Sequence, residues 1–182
     1  TGADVGSGYF TANAGSGNVS AISRDDIIVG HVTAAGIATL DEDTSRGNVS
    51  LVSFGAILAS TEVAGGSLIQ GWRANLTALG GSIGEVPTYV DEVTWNADPT
   101  NLNKLLRVNT GFTSDQSLRP FSETPANAVL GLTVVASGDI GIRSEGWAGN
   151  TDGSASDGTM LINQALSLGG NVTIASTGQI LD

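Results

Sequence analysis

The sequence predicts an all-β protein, a parallel β-helix (β-solenoid) of about six coils with loop excursions and one short helix. Three observations lead there. First, one phrase recurs: Asn18–Ile27 reads NVSAISRDDI, Asn48–Ile57 NVSLVSFGAI, Gly131–Ile140 GLTVVASGDI and Asn171–Ile180 NVTIASTGQI, with Asn75–Ile83, NLTALGGSI, one residue short. Second, the apolar residues inside the phrase stand two apart, the period that turns side chains to one face of a strand. Third, glycine makes up 26 of 182 residues, about twice ordinary usage, and is spread along the chain. That spread excludes collagen and suits many tight turns.

The repeat is aligned on Val19, Val49, Leu76, Leu132 and Val172. Two residues on stand Ala21, Leu51, Ala78, Val134 and Ile174; two further stand the small residues Ser23, Ser53, Gly80, Ala136 and Ser176. An isoleucine closes each phrase, at Ile27, Ile57, Ile83, Ile140 and Ile180. Each phrase therefore reads as a strand, a bend at the small residue and glycine, and a second short strand carrying the isoleucine inward. The starts are 30, 27, 56 and 40 residues apart, and 56 is twice 28. A period in the upper twenties suits coils stacked about 4.8 Å apart, in a rod on the order of 30 Å long. The solenoid reading itself requires residues 19–27 and 172–180 to lie in one stacked sheet, and fails if they do not.

Taken in order, residues 1–17 read as a partial coil with Phe10 and Ala12 inward. Residues 28–47 add Val32, Ile37 and Leu40, then an exposed acidic turn at Asp41–Asp43. Residues 58–74 add Val63, Leu68 and Ile69 before Trp72 and Arg73. Residues 86–128 hold all four prolines (Pro87, Pro99, Pro120, Pro125), which central strands exclude, so an irregular, decorated insertion is expected there. Within it Asp98 reads as an N-cap, Pro99 as the first helical position, and Leu102, Leu105 and Leu106 as one face of a short helix. The Gly-, Asp- and Ser-rich residues 145–160 read as a second excursion. The chain is expected to be one domain over 1–182. It begins at Thr1 without a signal peptide and stops at Asp182 just past a repeat core, so a processed product or a segment of a longer chain is expected.

Composition narrows the function. There is no cysteine, which excludes thiol redox chemistry, disulfides and Cys-based metal sites, and a single histidine, His31, leaves no multi-His site or relay. The net charge is −11, with Lys104 the only lysine, so neither nucleic acid nor an anionic membrane is an expected partner. No apolar run approaches the roughly 18–20 residues of a membrane span.

Several patterns carry possible chemistry. Four N-x-S/T triplets begin at Asn18, Asn48, Asn75 and Asn171. All share one repeat position, so the turn-ending role of Asn outweighs a glycosylation reading. The acidic loops Asp41–Asp43 and Asp152–Asp157 could offer oxygen ligands to calcium, but they lack EF-hand spacing and read as solvated turns. Asp25–Asp26 and Asp91–Glu92 are the adjacent carboxylates a polysaccharide-cleaving enzyme would draw on. Neighbours on a strand face opposite ways, so adjacency alone does not make a catalytic pair. Trp72, Trp95, Trp147 and Tyr89 could stack on sugars, although core or cap packing is the stronger reading. No G-x-S-x-G elbow, Walker or dinucleotide fingerprint is present. The expectation is no catalytic residue, no cofactor and no metal.

The phrases GNVSLVSFGAI, GLTVVASGDIGI and GNVTIASTGQI resemble the repeats of filamentous-haemagglutinin-like exoproteins, the surface adhesins of two-partner secretion and related autotransporter passengers. The resemblance covers about five short segments, under half of the chain. It implies a right-handed parallel β-helix, secretion to the bacterial surface, and a role in adhesion or a cell-surface layer. Spacings longer than that family's repeat, and the proline-bearing stretch 86–128, depart from its pattern. The expected function is a structural or adhesive segment of a secreted cell-surface solenoid, extracellular, meeting glycans or proteins of a host or neighbouring cell, or copies of itself. The alternatives are a subunit of an extracellular filament or sheath, and a polysaccharide-active β-helix enzyme.

Overall fold

Strict apolar alternation decides the local structure. In Asn48–Ser53 the side chains of Val49, Leu51 and Ser53 are fully buried while those between them face outward. Strand burial of one face, rather than backbone preference, is what favours this pattern. The computed structural model describes residues 8–14, 17–34, 47–64, 66–71, 73–86, 104–110, 131–145, 158 and 160–182. Among them are thirteen strands. In chain order these are β1 (Phe10–Asn13), β2 (Val19–Ser23), β3 (Ile27–Thr33), β4 (Asn48–Ser53), β5 (Ile57–Ala59), β6 (Leu68–Gln70), β7 (Arg73–Ala78), β8 (Leu106–Asn109), β9 (Gly131–Ala136), β10 (Ile140–Ser144), β11 (Met160–Ser167), β12 (Val172–Ser176) and β13 (Ile180–Leu181).

The strands form two sheets, and every pairing is parallel. One runs β13-β11-β9-β7-β4-β2; the other runs β1-β3-β6-β8-β10-β12, with β5 beside β3. The chain crosses between them at short bends, β2 to β3, β4 to β5, β9 to β10 and β11 to β12. Each inward position is thereby repeated along the stack. Val49 pairs with Val19 and Ala74, and Ala74 with Leu132. Leu51 pairs with Leu76, which pairs with Val134. Across the bend, Ile27 pairs with Ile57, Ile57 with Ile83, Ile83 with Ile140, and Ile140 with Val172. Ile57, Ile83 and Ile140 are fully buried in one continuous core. Each such side chain contributes about 1.5–3 kcal/mol of burial.

Three expectations need correction. Val172–Ser176 does not share a sheet with Val19–Ser23: β12 lies beside β10 in the other sheet, and only Ile180–Leu181 joins the sheet of β2. The fifth place of the repeat belongs to β11, where Ala165 pairs with Val134 and Ser167 with Ala136. A bulge between Ile162 and Gln164, together with polar Asn163 and Gln164 inside the strand, hides this phrase from a pattern search. The isoleucine column therefore ends in Val172, not Ile180, which pairs with Met160 instead.

The second correction concerns Asn75–Ile83. Leu76 pairs with Leu51, not Val49, so Asn75 lies opposite Ser50 rather than Asn48. Ala78, not Gly80, fills the small-residue place beside Ser53. The phrase is slipped by two residues, and a two-residue slip keeps the same face inward. The third correction is Leu106, expected on a helix face: it opens strand β8, fully buried, between β6 and β10. Residues 87–103, with the expected cap at Asp98 and Pro99, lie outside the described residues. So do 111–130 and most of 145–160, which hold the rest of the two expected excursions.

Candidate functional site

In the sheet of β3, β6, β8 and β10, the outer face of β10 is covered rather than open. All five residues of β10 are buried, although strand alternation turns Gly141 and Arg143 outward. Two features cover it. Gly141 lies under Glu85 and Leu105, so closely that a Cβ would meet the Glu85 carbonyl oxygen. The chain between β5 and β6 leaves the sheet and returns, with Gly66 approaching the Arg143 guanidinium. That excursion is tied at its neck. The Ser67 hydroxyl donates to the Val29 carbonyl at 2.5 Å and accepts the Ser60 amide at 2.6 Å. His31 is exposed, and its Nε2–H donates to the Gly66 carbonyl at 3.0 Å, a further tether on the same loop.

Under this cover sits the densest charge cluster among the described residues. Arg107 of β8 and Arg143 of β10 are direct partners in the sheet, so two guanidiniums stand side by side. Glu145, just beyond β10, bridges them. Its Oε1 accepts from Arg143 Nη1, and its Oε2 lies 3.2 Å from Arg107 Nη1. Asn109 Oδ1 accepts from the Ser144 hydroxyl and from the Glu145 amide, both at 3.4 Å, which fixes the backbone that carries the carboxylate. Burial lowers the pKa of Arg143 from its usual value. The Glu145 carboxylate opposes that shift and the neighbouring Arg107 adds to it. Arginine nevertheless stays protonated.

Two arginines around one carboxylate make a poor acid–base device. A guanidinium has no proton to give near neutral pH, and glycoside hydrolysis uses two carboxylates flanking the bond. The arrangement is instead suited to clamping β8 to β10 and to the chain that follows. The alternation of Arg143 and Glu145, two apart, was a readable sign that they share a face. The partnership with Arg107 was not readable, because it depends on the register across residues 111–130.

The carboxylates singled out from sequence go elsewhere. Asp25 and Asp26 occupy the exposed bend from β2 to β3, and Asp26 Oδ1 accepts the Ala56 amide at 2.7 Å. Asp139 repeats this, accepting the Asn171 amide at 2.6 Å. Asn18, read as a turn-ending residue, accepts the Asn48 amide through Oδ1 at 2.8 Å. Asp91–Glu92, Asp41–Asp43, Asp152, Asp157, Trp72, Tyr89, Trp95 and Trp147 lie outside the described residues. Among the described residues no group of three His, Asp or Glu side chains is placed to hold a metal ion, and no helix is long and apolar enough to cross a membrane. No protein-family profile, no curated protein and no solved structure matches this chain.

Proposed function

We propose that the chain is a structural, adhesive segment of a secreted bacterial cell-surface β-solenoid. The observation that carries this reading is the in-register column Ile27, Ile57, Ile83, Ile140 and Val172, built by a chain that alternates between two parallel sheets. A column of like residues, each pairing with the next, is the arrangement by which a solenoid buries its core against neighbouring coils. The final phrase does not meet the requirement that the repeat alignment set, because Val172–Ser176 lies in the other sheet; what supports the reading in its place is that β11 takes the position expected of β12 and β12 continues the column. Such a rod holds loops rigidly along its flank, and loops on a rigid scaffold carry recognition. The arginine clamp fits the same role, since it fixes the covered face without offering acid–base chemistry.

Adhesion is tested directly by coating inert beads with the folded chain and with heat-denatured chain. The beads are then counted on epithelial and bacterial cells. The expected result is greater binding by the folded coat on at least one cell type, reduced when residues 146–157 are replaced by a short Gly-Ser linker. Equal binding by both coats on every cell type would refute the adhesive part of the reading.

A further inference from the structure

The outer face of the sheet of β2, β4, β7, β9 and β11 carries an apolar stripe on its bend side, flanked by the uncharged polar column Ser20, Ser50, Asn75, Thr133 and Gln164. Ile22, Val52, Thr77, Val135 and Leu166 form one outward column, each paired with the next across the strands. Beside it, at the bend, backbone hydrogen bonds align Phe54, Leu79, Ser137 and Leu168 in a second. Ile22 is 75% exposed, Leu168 72%, Phe54 56% and Leu79 52%. Apolar side chains exposed singly need no explanation, but a contiguous apolar stripe running across five strands marks an interaction surface.

We propose that this face pairs with the same face of a second copy of the chain, sheet against sheet. Two observations select that occupant. The chain carries a net charge of −11, so two copies repel across most of their surfaces. Across the two columns Arg24 is the one charged residue, at the end of the stripe, so this face lets two copies meet with little opposing charge. The second observation is the period. The stripe's ridges follow the strand spacing of about 4.8 Å, and a second copy brings the same spacing, so side chains interdigitate along the whole stripe at an intersheet distance of about 10 Å. Five strands by about five residues give a face of roughly 400 Å² in plan. The accessible area buried by two such faces reaches about the low end of specific interfaces, roughly 1,200 Å² in total. A reversible dimer, not a permanent one, is the expected product. This pairing is lateral and does not depend on the adhesive reading.

Sedimentation velocity on the full chain, over a concentration series at about 0.05 and about 0.5 M NaCl, tests it. The expected result is a monomer–dimer equilibrium that tightens at least threefold at the higher salt, because salt screens the repulsion and leaves apolar burial in place. Leu79→Glu combined with Leu168→Glu should shift the chain to monomer at every concentration, and Ile22→Glu, at the other end of the stripe, should weaken dimerisation at least tenfold. Thr61→Glu, on the exposed loop of the opposite sheet, should dimerise like the unmodified chain. Circular dichroism confirms the fold of each variant. A monomer under all conditions overturns the proposal, as does a dimer that survives the stripe substitutions or weakens with salt. A monomer that floats with zwitterionic phosphatidylcholine vesicles also overturns it and assigns the stripe to lipid.

Discussion

The carboxylate of Asp26 occupies the space that a side chain at Gly55 would need, and it uses that space to accept the amide of the next residue, Ala56. The same relationship recurs at two further bends. A Cβ at Gly138 would strike the Ser82 hydroxyl, which accepts the Asp139 amide at 3.0 Å, and a Cβ at Gly170 would strike the Asp139 carboxylate. An acceptor on one bend and a glycine on the bend stacked against it thus form one unit. The glycines of the repeat are there for close approach, not for a left-handed backbone, since none of these three has a positive φ.

Gly55→Ala should therefore destabilise the chain through a neighbour it does not contact in sequence. Displacing the Asp26 carboxylate sacrifices a charge-assisted hydrogen bond, a loss of about 2 kcal/mol. Gly17→Ala is the control, because nothing lies within 4 Å of a Cβ there. Urea unfolding of both variants decides the matter, and equal midpoints would refute the steric account.

The arginine clamp makes a prediction about charge. Glu145→Gln leaves Arg143, whose side chain is 8% exposed, beside Arg107 without its carboxylate. Because the Glu145 side chain is itself 35% exposed, solvent softens the loss, which should be about 1–2 kcal/mol. Arg143→Met, which removes the buried charge while keeping its length, should cost less than Glu145→Gln. The pH dependence has a definite sign. With the folded pKa of Arg143 lowered, the unfolded chain binds more protons than the folded one only in the alkaline interval between the two values, and stability rises with pH only there. From pH 5 to 9 the guanidinium is charged in both states, so Arg143→Met should leave the slope of stability against pH unchanged in that range.

The core column predicts a gradient along the stacked strands. Ile83→Ala empties a fully buried position between Ile57 and Ile140 and should cost about 2–5 kcal/mol. Ile180→Ala removes a side chain already 51% exposed and should cost under about 1 kcal/mol. Thermal unfolding of the two variants gives the comparison. Equal losses would mean that Ile180, rather than Val172, completes the column.

What sequence reading could reach follows from these contacts. Strand type, inward faces and the first four isoleucines of the column were legible because alternation and burial impose them locally. Register was legible only where the phrase was undisturbed, as between β2 and β4. It failed at Asn75, because a slip of two residues preserves the inward face and leaves no mark in the alternation. It failed again at Val172, because β11 reads as LINQALS while a phrase of the expected form lies one strand further on. The spacing of Leu106 with Leu102 and Leu105 predicts a helix, whereas pairing on both sides, with β6 and β10, holds it in a strand. The charge cluster depends on that same strand, so it stayed hidden with it.

The bend column also shows where the repeat can be improved. The residue before each member of the column Ile27, Ile57, Ile83, Ile140 and Val172 is Asp26, Ala56, Ser82, Asp139 and Asn171, and Ala56 alone has no side-chain acceptor to offer the bend stacked on it. Gly81 packs against Ala56, leaving the glycine half of the unit in place. Ala56→Ser should give the Ser82 amide an acceptor of the kind that Ser82 gives Asp139, and stabilise the chain by about 0.5–1 kcal/mol. Ala56→Asp should gain less. Its carboxylate would stand next to Asp26 in the column, about 4.8 Å along the stack, in a chain already at −11. The difference between the two variants should shrink as salt rises, because screening removes the repulsion and not the hydrogen bond. Thermal melts at about 0.05 and about 0.5 M NaCl measure both effects, and a destabilising Ala56→Ser would show that the bend column is set by shape alone.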